Sequence, residues 1–232
     1  HLDHCGYLPA LVDQGFSGPV LATEATLALA TLVLRDSAKL QEEDARYAAE
    51  KGFSKHATPR PLYDSDDVDR VIPMMQPVSF HERVKAAAGI DVVLQPAGHI
   101  LGSASALLDV SGRRVVFSGD LGRPAHPLLA APPPPPGCEV IVVESTYGDR
   151  DHSPQGLDEL AEVITRTIAR GGSVVIPAFA VDRTEVVLMA LRQLTQEGRI
   201  PPVPVHVDSP MALRALDIYR GGLDRDDADV RT

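Results

Sequence analysis

The chain has 232 residues, enough for one large or two small domains, and 44% of them are hydrophobic, enough for a substantial core. A formal net charge of -10 argues against nonspecific attraction to nucleic acid, an argument weakened wherever that acidity is metal-facing carboxylate. Asp, Glu or Arg interrupts every apolar run before bilayer length, no secretory leader opens the chain, and Cys5 and Cys138 make no disulfide framework, so a reducing, cytoplasmic setting is expected.

The chain opens on His1-Leu2-Asp3-His4-Cys5-Gly6, a spacing suited to a metal and poorly suited to a packed core. Imidazole and carboxylate are donors that zinc accepts at about 2.0–2.2 Å, and they also suit manganese or iron. His1 and Asp3 are expected on one side of an extended or turning segment. His4 would then point elsewhere, so that the motif grips two ions. Cys5 reads as a small residue packed behind the site. A start inside such a motif, without a Met, is expected of a piece of a longer protein.

Residues 19–22 read as a short buried strand after a glycine turn. Thr23 would cap a helix over 24–36 with Leu27, Ala30, Thr31 and Leu34 on one face. A second helix is expected over 41–51, ended by Gly52, and Ser65 would cap a short acidic helix beginning at Asp66. From residue 78 the period changes to two. Strands are expected at 78–80, 90–94, 104–110 and 113–117, with Ser111-Gly112 turning the last pair into a hairpin. The proline run over 132–136 reads as a stiff surface loop before an apolar strand at 140–143. Beyond Asp151 the pattern becomes helix 157–170, strand 173–176, helix 184–197 and strand 204–207, then a helix begun by Ser209-Pro210. That alternation reads as a parallel βαβ unit, with a domain boundary at 151/152.

Three further stretches share one grammar, an apolar strand ending in a residue able to bind metal. Leu94 leads to Gly98-His99, Phe117 to Ser118-Gly119-Asp120, and Val143 to Glu144. Ligands on loops at one edge of a rigid sheet can converge on a point. Alone, His99 would be a satisfied polar residue and Asp120 a turn cap; together, and in this order after His1, they point to one metal centre.

These motifs resemble the metallo-β-lactamase superfamily, and within it the β-CASP branch of RNA-processing nucleases, over nearly the whole chain. The family's metal motif is His-x-His-x-Asp-His; His1 matches its second His, followed by Asp3 and His4. Gly98-His99-Ile100-Leu101-Gly102-Ser103 is similar to its next His motif, and Ser118-Gly119-Asp120-Leu121-Gly122-Arg123 to its bridging Asp motif. Glu144 in Glu144-Ser145-Thr146-Tyr147-Gly148 is similar to the acidic motif that opens the β-CASP part. Residues 177–184 and 207–212 look like stretches that separate this branch from lactamases and glyoxalases. The motif's first His would lie upstream of residue 1, and the last zinc ligand and the proton-donating His beyond Thr232. Asp182 stands where the family often has Gly, and His126, His152 and His206 match no family motif.

The resemblance implies an α/β fold: an incomplete αββα metallo-β-lactamase sandwich over 1–151, then the start of a β-CASP domain over 152–232. It also implies two zinc ions, with manganese as the alternative. His1 and His99 would hold one and Asp3 and His4 the other, with Asp120 bridging, about 3.5–4 Å apart around an activated hydroxide. Asp3, Asp120 and Glu144 would be the catalytic carboxylates, Glu144 by positioning the downstream His. Phe179 would stack on a base, with core packing as its rival reading. Arg183 would add a charge-assisted contact, and Ser209 would stand at a helix start that attracts phosphate. The implied activity is hydrolysis of single-stranded RNA, with the piece alone inactive and a homodimer left open. The alternatives are another hydrolase on this scaffold, acting on DNA or a small ester, and a non-catalytic RNA-binding or scaffold homologue.

Overall fold

The computed structural model describes residues 1–150, 156–225 and 227–231. It begins with two short helices, α1 (Leu2–Cys5) and α2 (Leu8–Asp13), before strand β1 (Val20–Ala22) and helix α3 (Glu24–Lys51). The Thr23 hydroxyl caps α3 by accepting from Thr26 N at 3.2 Å, and Gly52 ends it at φ 66°. The two helices expected here are one helix of 28 residues. No Gly or Pro interrupts residues 37–40, and buried Ser37 and Ala38 continue the inward stripe of Leu29, Leu32 and Leu34.

Helix α4 (Ser65–Val71) is capped by Asp64 and not by Ser65. Asp64 and Asp67 form a reciprocal capping box, while the Ser65 hydroxyl and amide both donate to Glu42. A single turn of 3-10 helix (Ile72–Met74) leads into β2 (Met75–Pro77), which pairs in parallel with β1. This strand lies just ahead of the one expected at 78–80.

The main sheet has the order β3-β4-β5-β6-β7. Its strands are β3 (Arg83–Ala87), β4 (Ile90–Pro96), β5 (Ala104–Val110), β6 (Arg113–Phe117) and β7 (Val140–Val142). Strand β3 gives no sequence signal because it is an exposed edge with little alternation. Ser111 and Gly112 both have positive φ, the turn a tight right-twisted hairpin needs. Strand β7 runs parallel to β6 after a crossover over 118–139 that carries the proline run. Antiparallel and parallel pairing together make the chain a mixed α/β protein.

Helices α5 (Leu157–Ala169), α6 (Arg183–Gln196) and α7 (Pro210–Arg225) follow. The strands expected at 173–176 and 204–207 pair with nothing among the described residues; Val175 is 87% exposed and His206 is exposed too. An apolar run fixes which residues dislike water, whereas a strand also needs a partner edge. Helices α5 and α6 share a small core of Ala161, Ile164 and Leu194, joined by Ile200. Helix α7 instead packs on α3, where Ala215 and Tyr219 meet Ala25, Leu29 and Leu32 beside Leu101 and Leu129. The boundary expected at 151/152 falls outside the described residues.

Candidate metal centre

Residues 1–5 curl into a helical turn, with His4 N donating to His1 O and the Cys5 thiol closing back on the same carbonyl. Residues three apart on a helix share a face. His4 therefore does not point away from His1, as an extended segment would have it. His1 Nδ1 and His4 Nε2 each lie 3.1 Å from the same atom, Asp120 Oδ2. His99 Nε2 approaches that oxygen to 3.7 Å, and its ring meets His1 edge to face at 4.8 Å. Asp3 stands at the outer lip, 3.8 Å from both His1 Nδ1 and His4 Nε2. Donor atoms of His1, Asp3, His4 and Asp120 all fall within 4.8 Å of one another. His99 Nε2 is buried without a hydrogen-bond partner. Three imidazoles and two carboxylates converging on one rim, one of them with an orphaned nitrogen, match the donors that zinc or manganese takes. Cys5 packs behind this turn against the Leu34, Ala38 and Tyr63 core, and burial pushes its thiol pKa up.

Two loops carry the distal donors, and both are held by their backbones. In the His99 loop, the Ser103 hydroxyl accepts from His99 N and Ile100 N at 3.0 and 3.2 Å. Leu101 N donates to the Tyr219 hydroxyl at 3.0 Å, and Gly102 N to the Asp229 carboxylate at 2.6 Å. The Gly102 carbonyl accepts from both Thr23 and Thr26, tying the loop to the start of α3. The Asp120 loop docks directly on it: Gly122 N donates to Ala97 O at 2.8 Å. A Cβ on Gly122 would sit 1.6 Å from Gly98 O, so only glycine permits this approach.

Glu144 braces the Asp120 loop from the other side. Its carboxylate accepts from Leu121 N at 2.6 Å and its amide donates to the Ser118 hydroxyl. The Leu121 bond is the main reason its pKa lies below the usual carboxylate value.

The three substrate-side candidates stand outside this cluster, in or beside the starts of α6 and α7. Phe179 is 84% exposed, which removes core packing as its role. Arg183 begins α6 and is also exposed. Ser209 caps α7 by accepting from Ala212 N at 3.1 Å.

Sequence reasoning misses Tyr219, Asp229 and His126. All three are buried, and their partners near the rim or in distant loops carry no local sequence signal.

Ribonuclease TTHA0252 of Thermus thermophilus is 36% identical to this chain over 94% of it, and the match spans 47% of that protein. Cleavage and polyadenylation specificity factor subunit 3-I of Arabidopsis thaliana is 30% identical over 95% of the chain and 30% of its own length. Transcription termination factor FttA of Pyrococcus horikoshii is 34% identical over 90% of the chain and 31% of its own length. The chain thus spans less than half of each of these relatives. No protein-family model matches it.

Proposed function

We infer that this chain, which belongs to the β-CASP branch of the metallo-β-lactamase superfamily, is the metal-holding part of a ribonuclease that hydrolyses phosphodiester bonds of single-stranded RNA. The observation that carries this reading is the convergence of His1, His4 and His99 on Asp120 Oδ2. His1, Asp3, His4, His99 and Asp120 would hold two zinc ions, with manganese as the alternative. When bound, the ions supply Lewis acidity toward a phosphoryl oxygen and make water acidic enough to ionise near neutral pH.

The chain's own side chains prepare that site. Asp120 presents one oxygen toward three imidazoles, and Glu144 fixes the peptide that follows it through Leu121 N. Residues 1–151 carry the metal side and 152–232 the substrate side. There Phe179, already exposed, offers a face on which a base can stack. Arg183 and the starts of α6 and α7, the latter at Ser209, favour phosphate. Cys5 and Cys138, both free, suit a reducing cytoplasmic compartment. No helix among the described residues is long and apolar enough to cross a membrane.

The test is metal analysis and turnover of the full-length parent protein. Two zinc ions per chain and zinc- or manganese-dependent cutting of labelled single-stranded RNA are expected. Absence of metal would favour a scaffold protein, and hydrolysis of a lactam or thioester with RNA left intact would overturn the nuclease reading.

A further inference from the structure

Away from the metal rim, two buried polar side chains from distant parts of the chain, His126 and Tyr219, meet at the half-buried Asp182. Its φ of 68° and ψ of -52°, with Arg183 N donating to Val181 O at 2.9 Å, make a tight γ-turn. Non-glycine residues enter such a turn only with backbone strain. This explains why glycine suits the position and leaves the question of what an aspartate gains there.

Its carboxylate gains two partners. His126, 4% exposed, accepts Leu128 N and Leu129 N at its Nδ1, both at 3.1 Å. The ring proton therefore sits on Nε2, which donates to Asp182 Oδ2 at 3.1 Å. Tyr219, 2% exposed, donates to Asp182 Oδ1 at 3.1 Å while its oxygen accepts Leu101 N at 3.0 Å. The line of hydrogen bonds runs from the turn at 182, through the α7 tyrosine, to a peptide two residues from His99.

We propose that Asp182 is a positioning residue, whose carboxylate transmits the seating of the 177–183 loop through Tyr219 to the backbone that presents His99. The inference deepens the nuclease reading and rests on it, because that loop is the candidate substrate contact and His99 the candidate metal ligand. A disturbance of the loop by substrate is felt at the metal rim, and an altered rim is felt at the loop, since coupling is reciprocal.

The experiment compares the intact chain with D182G, D182N and Y219F by amide hydrogen exchange at Leu101 without metal, by cobalt(II) affinity from absorption, and by melting. Y219F sets the scale, because it deletes the acceptor of Leu101 N directly. In D182G the turn is relaxed and both bonds are lost. Its Leu101 amide should exchange about 10-fold faster and its cobalt affinity fall about 10-fold, the lower end for loss of an outer partner. Melting should move little, since relief of the turn offsets the lost bonds. D182N, which tolerates positive φ and keeps one acceptor oxygen, should fall between. Leu101 exchange and cobalt affinity at wild-type levels in D182G would overturn the proposal and leave the network purely structural. If D182G fails to fold, D182N decides in its place by the same two measurements. If the full-length parent protein takes up no cobalt, the nuclease reading fails, and Leu101 exchange still decides the coupling.

Discussion

The loops at the metal rim and the segments flanking α6 are similarly short and irregular, yet they are built in opposite ways. In the rim, the amides of His99, Ile100, Leu101, Gly102, Leu121 and Gly122 are taken up by Ser103, Tyr219, Asp229, Glu144 and Ala97 O, and one loop docks on the other at van der Waals limits. Around α6, residues 173–176 and 204–207 pair with nothing among the described residues, and Val175 and Phe179 stand more than four-fifths exposed. Irregular backbone is rigid when its peptide groups have partners and is held by little when they do not. Geometry demanding enough for metal ligands is found in the first region, and a surface open to a large partner in the second.

The largest break of that contrast is expected at Asp120. Asp120→Ala removes the oxygen that three imidazoles approach, and zinc affinity measured by competition should fall by more than the roughly 100-fold that loss of an outer partner costs. Gly122→Ala attacks the rigid region without touching a ligand. Its Cβ would collide with Gly98 O, and chemical denaturation should show a loss of about 3 kcal/mol with weakened metal binding. Retention of wild-type stability would mean that the two loops are not locked together.

Glu185 is the buried acid of the second region. It is 3% exposed at the start of α6, and burial, with Asp182 adding to it, pushes its pKa to about 7. The folded chain keeps this proton up to about pH 7, whereas the unfolded chain releases it near 4.5. Stability should therefore fall as pH rises through that window, by at most about 3 kcal/mol, and Glu185→Gln should flatten the curve. An unchanged slope in that variant would place the effect elsewhere. Phe179→Ala should have the smallest effect on folding, within about 0.5 kcal/mol, because the ring is already in water. In the full-length parent protein the same change should weaken single-stranded RNA binding by about 1–3 kcal/mol. A variant that melts earlier but binds RNA normally would reverse the assignment of that ring.

What can be read from residues alone follows the same divide. The hairpin at Ser111-Gly112, the capped start of α3 and the spacing of His1, Asp3, His4, His99 and Asp120 are local signals, each written within a few residues. The facing of His4 differs from expectation because a four-residue helix, with no capping side chain, looks like an extended tail in sequence. Strand β3 escapes notice because its edge is polar, and the strands flanking α6 are expected only if apolarity is equated with pairing. His126, Tyr219 and Asp229 are invisible for a different reason. Each acts on a partner dozens to more than a hundred residues away, and nothing nearby announces it.

That remoteness bears on the order in which the protein is made. The peptide groups of Leu101 and Gly102 find their partners 118 and 127 residues later in the chain. While the chain emerges from the ribosome, the rim histidine waits on a half-finished support until helix α7 and Asp229 follow it out. Under the proposed metal centre, ion capture would come late in biosynthesis, and a nascent chain stalled before Tyr219 should be a poor trap for zinc.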